Sequence, residues 1–498
     1  MDPLRVERLK LHRIMYKVIR NKTSIAKDYS TSAFNIVRDY HSPVQQALRR
    51  TEWFMRLYIH FLMHPTCLVY MLTLTYNDKC IPSFNVVTGD FCHGHINPKK
   101  SGYDSNCIPA FQLTDIQNWV KRVNKVLRSY GLVMRYLVTS EFGKNYTKRS
   151  HYHAIIFIDS LREGVAPFIS EEKLFALLRS RWSIYIGNRD DNSPIFFPLG
   201  NVYFSKSPVD GSYRISDSSA FRYTTKYITK DIFFEDLPAY QNMPQEYKVK
   251  YLKHGAPKHL QSNGFAKGWY HYFNVMETLE NGIEVEVKTP KGIITKHMPL
   301  PQYCINDLFF GHIYENVFYT NKLGKHVERV HKRYLYKNQC DTYYQYIHKT
   351  LRKRAYMDAL LDMNVNEDVR YRLLLWSQVR ATLWPRFPHD NHVVDIDFYN
   401  MMYCGLPSIS DLECLHRYIV YNKFSTMAPS YDYDGVKVLL ENGFVPLFST
   451  PAGQELDKAL FAYYEEKTFQ LNKQAEIFAI NEEKKRVARQ RANNEPKF

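Results

Sequence analysis

Between positions 68 and 230 the apolar pattern switches repeatedly between a period of two and a period near 3.6. The stretch 68–76 reads LVYMLTLTY. Leu72, Leu74 and Tyr76 fall on one face of an extended chain and Thr73 and Thr75 on the other, which predicts a β-strand. Further on, Ile116, Trp119, Val120, Val123, Val126, Leu127 and Tyr130 form a helical stripe. Thr114 or Asp115 would cap that helix and Gly131 would end it. Segments 132–141 and 151–157 again read as strands. A short polar loop separates them, so they are expected to pair as an antiparallel hairpin. Ser170, followed by Glu171 and Glu172, starts a helix over 171–183, and 218–230, SSAFRYTTKYITK, reads as another. A further helix over 44–62 precedes the first strand. The stretch 77–112, with its Pro, Gly and Asn, reads as a long loop, and 188–217 as polar chain with one short strand at 200–204. The mixture predicts an α+β fold, an antiparallel sheet with helices packed on it.

Beyond 231 the pattern weakens. A hairpin is expected at 283–287 and 293–296, helix over 340–386, and a helical tail over 454–491 that ends in a charge run at 482–491. These readings divide the chain into a basic N-terminal arm (1–50), a domain carrying the candidate chemistry (51–235), a small β-containing extension (236–310) and a mainly helical C-terminal region (311–498).

Charge narrows the partners. Lys and Arg exceed Asp and Glu by 17 over 498 residues, which favours a polyanion. The arm over 1–22 is basic and amphipathic, readable as a solvated helix or as a contact to DNA. The cationic face Lys121, Arg122, Lys125 and Arg128 is a second candidate contact. Aromatic residues at 15% argue against disorder over most of the length. Eight cysteines without a CxxC pair suit a reducing compartment and exclude a disulfide framework. No apolar secretory segment is read at the start, and the most apolar early run is broken by His60, His64 and Pro65. No membrane partner is therefore expected, and a cytoplasmic location is.

The candidate chemistry begins at His151-Tyr152-His153. On a strand the two histidines share a face and Tyr152 takes the other, so both imidazoles can reach one divalent metal. Glu141 closes the preceding strand and is the candidate third ligand. Two imidazoles and a carboxylate, with positions left open, suit a catalytic Mg²⁺ or Mn²⁺. In YTTKYITK, Tyr223 and Tyr227 are four apart, as are Lys226 and Lys230, so each pair stacks along a helix face. A phenol is a poor nucleophile at neutral pH. Cations and a metal-bound phosphate nearby favour its attack on phosphorus and offset the charge that develops.

LTLTY at 72–76, HYH at 151–153 and YTTKYITK at 223–230, in that order, resemble the three motifs of HUH-type rolling-circle replication initiators. The resemblance is strongest to the initiators of small single-stranded DNA bacteriophages, the microviruses. Glu141-Phe142-Gly143 ahead of HYHAIIF and the doubled tyrosine both fit that group. The resemblance covers about 50–270. It implies that 51–235 is an HUH endonuclease domain that nicks one DNA strand at the viral origin. A tyrosine would keep the 5′ end as a phosphotyrosyl link, and a second strand transfer would recircularise the genome. His151 and His153 match the metal ligands, Tyr223 and Tyr227 the nucleophiles, and Lys226 and Lys230 the motif's lysines. The implied partners are origin DNA, single-stranded and replicative form, with host helicase and polymerase in the bacterial cytoplasm. Two alternatives stand beside it. One is a plasmid-type initiator, relaxase or transposase of the same superfamily. The other is a non-catalytic single-stranded DNA-binding protein using aromatics and lysines.

Overall fold

The computed structural model describes residues 16–20, 34–38, 43–94, 104–143, 149–162, 164–207, 211–229, 238–289, 292–321, 324–361, 366–383, 393–395, 405–424, 444–446, 450–460, 462–463 and 466. The chain forms two compact units, Gln46–Cys304 and a second made of Met1–Gln45 with Ile305–Phe498.

The first unit is built on a five-stranded antiparallel sheet. Its strands are β1 (Leu68–Thr75), β5 (Leu132–Phe142), β6 (Ser150–Ser160), β9 (Val202–Phe204) and β10 (His259–Gln261). They lie in the order β9-β1-β6-β5-β10. The hairpin of β5 and β6 forms as the alternation predicts, and Gly143 N donates to Arg149 O at 2.9 Å where the strands meet their loop. Period-two alternation gives the sheet two different faces. One carries Tyr70, Leu72, Leu74, Val138, Tyr152, Ala154, Ile156 and Ile158, buried together under two helices. These are α2 (Leu113–Ser129), lying before β5, and α3 (Glu171–Arg181), following β6. Trp119 of α2 is fully buried there and donates its indole N–H to Leu178 O at 3.1 Å, so its burial leaves no orphaned donor. The other face receives α1 (Pro43–Met63) and α4 (Ser219–Thr225), through Phe157 against Phe221 and His60 against Phe157.

Several sequence expectations change. Neither Thr114 nor Asp115 caps α2. The N-cap residue is Gln112, without a side-chain cap, and Asp115 is buried, accepting from Tyr76 Oη at 2.8 Å. Ser170 does cap α3, accepting from Lys173 N at 3.3 Å. The stretch read as a loop contains a three-stranded sheet of β2 (Pro82–Asn85), β3 (Phe91–His93) and β4 (Cys107–Pro109). Each strand is three or four residues long, too short to show a period. The polar stretch 188–217 likewise hides a hairpin, β7 (Ser183–Asn188) with β8 (Pro194–Pro198). Residues 218–230 are not one helix. α4 ends at Thr225 and a 3₁₀ turn, Lys226–Thr229, follows. The hairpin expected near 290 forms as Ile283–Thr289 with Gly292–Met298.

In the second unit, Phe310–Asn321 and Gly324–Leu335 make a twelve-pair hairpin within a region read as mainly helical. The β-branched and aromatic content of IYENVFYT and the Leu-Gly turn carried that signal. Helices Cys340–Leu361, Glu367–Leu383 and Ile409–Phe424 follow, sharing a core around Trp376, Leu374 and Leu415. Tyr16–Arg20 pairs with Phe34–Arg38 as strands, while residues 1–15 of the basic arm and the charge run 482–491 lie outside the described residues.

Candidate metal and nucleophile site

The register of three neighbouring strands assembles the site. Glu141 of β5 lies directly across from His151 of β6, which in turn faces Thr75 of β1. One row away, Thr139, His153 and Thr73 are opposite one another. Directly opposed residues in antiparallel strands project to the same side. All six therefore point to the face away from Tyr152.

Glu141 Oε2 lies 3.1 Å from His151 Nε2 and 2.6 Å from His153 Nε2. The ligand atoms of the three residues all fall within 4.8 Å of one another. Glu141 and His153 are buried and His151 is half-buried. A carboxylate so placed needs a positive partner.

The outer nitrogens show which partner fits. His151 Nδ1 lies 3.2 Å from Arg149 O. A carbonyl only accepts, so Nδ1 carries the proton and a neutral His151 turns a bare Nε2 toward the carboxylate. Two lone pairs at 3.1 Å repel unless a cation or a proton lies between them. His153 Nδ1 is 3.1 Å from Thr73 Oγ1, which can accept in the same way and leave Nε2 available. The strand of His153 is tied from the other side by Thr139 Oγ1, which donates to His153 O at 3.3 Å. The donor set of two imidazoles and one carboxylate can hold a divalent metal. Thr73 therefore does more than build sheet. Its position opposite His153 is the signal that would have found this role, and it requires the register.

The tyrosines are not equivalent. Tyr227 is 6% exposed and its ring lies on that of His153, centroids 4.2 Å apart and 20° from parallel. Tyr223 is 42% exposed, edge-on to His153 at 6.0 Å and to Tyr227 at 5.2 Å. The tightening from α-helix to 3₁₀ turn between them separates the two environments. Lys226 is exposed, its Nζ 4.2 Å from the Tyr223 ring centroid and 5.0 Å from that of Tyr227. The structure thus brings together Glu141, His151, His153, Tyr223, Tyr227 and Lys226, while Lys230 lies outside the described residues.

The basic face of α2 is elsewhere. α2 covers the Tyr152 side of the sheet, and Arg122 directs its Nη2 to Arg181 O and Ser183 O at 3.1 and 2.6 Å, closing the end of α3. Burial pulls its guanidinium below the usual arginine range. No helix among the described residues is long and apolar enough to cross a membrane.

No curated protein and no solved structure matches the chain. Residues 69–232 match the family described as replication-associated protein ORF2. That span runs from β1 through the β5–β6 hairpin to the tyrosine turn, so the segment that builds the site is the segment similar to replication-associated proteins, and it supports a role as a replication initiator.

Proposed function

We propose that the chain is an HUH-type, metal-dependent endonuclease that starts rolling-circle replication, related to the initiators of the microviruses. The observation that carries the reading is the convergence of Glu141, His151 and His153 within 4.8 Å, with Tyr227 lying on His153. A phosphodiester drawn to the face of the cluster would lie beside two phenols and an ammonium.

The reaction would proceed by attack of one tyrosine oxygen on the scissile phosphorus. The new bond joins Tyr Oη to phosphorus, and the bond from phosphorus to the 3′-oxygen breaks. The phenolic proton passes to solvent, and the departing 3′-oxygen takes one up. The 5′ end stays on the enzyme as a phosphotyrosyl ester, and the free 3′-hydroxyl is available to a host polymerase. Attack by the second tyrosine on a regenerated origin, then by a 3′-hydroxyl on the ester, would close the released strand into a circle. Bound Mg²⁺ or Mn²⁺ would supply Lewis acidity at the phosphate. Lys226, and by the motif Lys230, would offset the charge that develops on the phosphoryl oxygens. The setting would be a bacterial cytoplasm, with a host helicase opening the duplex.

The test is covalent. Single-stranded origin oligonucleotide incubated with the protein and Mn²⁺ should give an adduct that survives a denaturing gel. An adduct that persists in the protein carrying both Tyr223→Phe and Tyr227→Phe would overturn the nucleophile assignment. Absence of any adduct with wild type favours a non-catalytic DNA binder.

A further inference from the structure

The open edge of β1 is finished in two steps. β9 pairs with its end, Tyr203 opposite Thr73, and Ser205 N then donates to Met71 O at 2.9 Å. The chain leaves the edge and turns back, with Ser207 N donating to Ser212 O at 2.7 Å. It rejoins at Ile215, whose N donates to Val69 O at 2.8 Å. Between this excursion and the start of α4 lies a cavity of about 380 Å³, within the size range of small-ligand sites. Thr73, His153 and Tyr223 line it, so it is continuous with the metal and nucleophile site.

The lining has a definite chemistry. Met71 gives an apolar surface and Tyr213 an aromatic one. Tyr213 is fixed edge-on against Phe175, centroids 5.3 Å apart. Lys206 Nζ lies 5.0 Å from the Tyr213 centroid. Arg214 also lines the cavity and is anchored by an Nη2 hydrogen bond to Cys67 O at 3.2 Å. Ser216 and Ala220 are small, which keeps the space open. The Asp217 carboxylate accepts from Ser219 N at 2.8 Å, so it is engaged at the start of α4. An aromatic wall, an apolar floor and two cations suit a nucleotide. An apolar ligand would leave the cations unused, and a bare phosphate would leave the aromatic wall unused.

We propose that this cavity seats one nucleotide of the strand being cut, immediately next to the scissile phosphate. Its base lies against Tyr213 and Met71, and its outer phosphate meets Lys206 and Arg214. The cavity gives the enzyme a base preference at one position beside the cut. The proposal rests on the nicking reading above, because that reading puts the scissile phosphate at His153.

Two measurements test it on the full chain. The first is equilibrium binding by fluorescence anisotropy, with chelator present so that nothing is cut. The probes are an oligothymidylate and an abasic backbone of equal length. Ala220→Phe, which fills the cavity, should weaken oligothymidylate binding about tenfold and leave the abasic backbone unaffected, the loss expected for one stacked base. Lys206→Ala, at an exposed side chain, should weaken both probes, and it keeps the test usable if Ala220→Phe does not fold. Equal effects of Ala220→Phe on the two probes, or none, overturn the cavity as a base site. If only Lys206→Ala folds, no effect on either probe overturns it.

The second is covalent capture from a random single-stranded DNA library with Mn²⁺, followed by sequencing of the captured strands. Wild type should show a base preference at one neighbour of the cut, and Ala220→Phe should flatten it. Capture with a preference that neither variant alters overturns the proposal and leaves the nicking reading standing. No capture by wild type overturns the nicking reading, and the binding measurement then decides the cavity alone.

Discussion

The ring of Tyr227 lies on the ring of His153, with centroids 4.2 Å apart and planes 20° from parallel. One candidate nucleophile is thus packed against a candidate metal ligand. Its hydroxyl and its ring do separate jobs. Tyr227→Phe should keep the packing and leave the melting temperature near wild type. Tyr227→Ala should cost about 3 kcal/mol, as expected for a large buried ring. Thermal unfolding of both variants checks this, and an alanine variant as stable as the phenylalanine one would show that the stacking contributes nothing.

Thr73 holds His153 by its outer nitrogen at 3.1 Å. Thr73→Val keeps the β-branched shape and removes the acceptor. Mn²⁺ affinity measured by titration calorimetry should fall roughly 10–100-fold, the range for losing an outer partner of a metal-binding histidine. Glu141→Gln should weaken it more, because the anionic member of the cluster is removed. Unchanged affinity in Glu141→Gln would exclude Glu141 from the metal site.

Gly200 sits where a Cβ would run into Thr75 O, a backbone atom at the end of β1 that cannot swing aside. Gly200→Ala should displace the chain leading into β9 and destabilise the protein by about 1–3 kcal/mol. Because Thr75 neighbours His151 across the sheet, Mn²⁺ affinity should drop as well. Urea unfolding and calorimetry together check it, and wild-type values in both would mean that the chain relaxes freely there.

In the second unit, His348 Nε2 and His416 Nδ1 are hydrogen-bonded at 3.1 Å in a buried pair. Burial, followed by the neighbouring His348, pulls His416 from its ordinary value of 6.5 down to about 3. Burial also lowers His348, although Glu413 opposes it. The folded pair therefore resists protons that the unfolded chain accepts. Its stability is fully present above 6.5 and is lost as pH falls from 6.5 toward about 3. Urea midpoints measured across that window should fall with pH, and His416→Gln should flatten the slope. An unchanged slope in the variant would assign the acid sensitivity to other groups.

Much of the first unit was legible because its elements are long. An eleven-residue strand or a seventeen-residue helix shows its period clearly, and two strands joined by a short loop have little choice but to pair. The small strands at 82–109 and the hairpin at 183–198 were not legible, because segments this short and rich in Pro and Gly carry no period. Asp115 was misread as a cap for a related reason. A local rule assigns an Asp at a helix start to the backbone, whereas here Tyr76, 39 residues away in sequence, provides the partner.

The sequence by itself determined that His151 and His153 share a face opposite Tyr152, because alternation along a strand needs no knowledge of the rest of the fold. It also determined that two tyrosines and a lysine arrive together in YTTKY, one turn apart. Only the tertiary structure decided that Glu141 meets both imidazoles, that Thr73 orients His153, and that Tyr227 is buried while Tyr223 faces a cavity. The physical reason is that each of these depends on register between strands or on where a helix tightens into a 3₁₀ turn. Those choices are set by packing across the whole sheet, and no local stretch of residues encodes them.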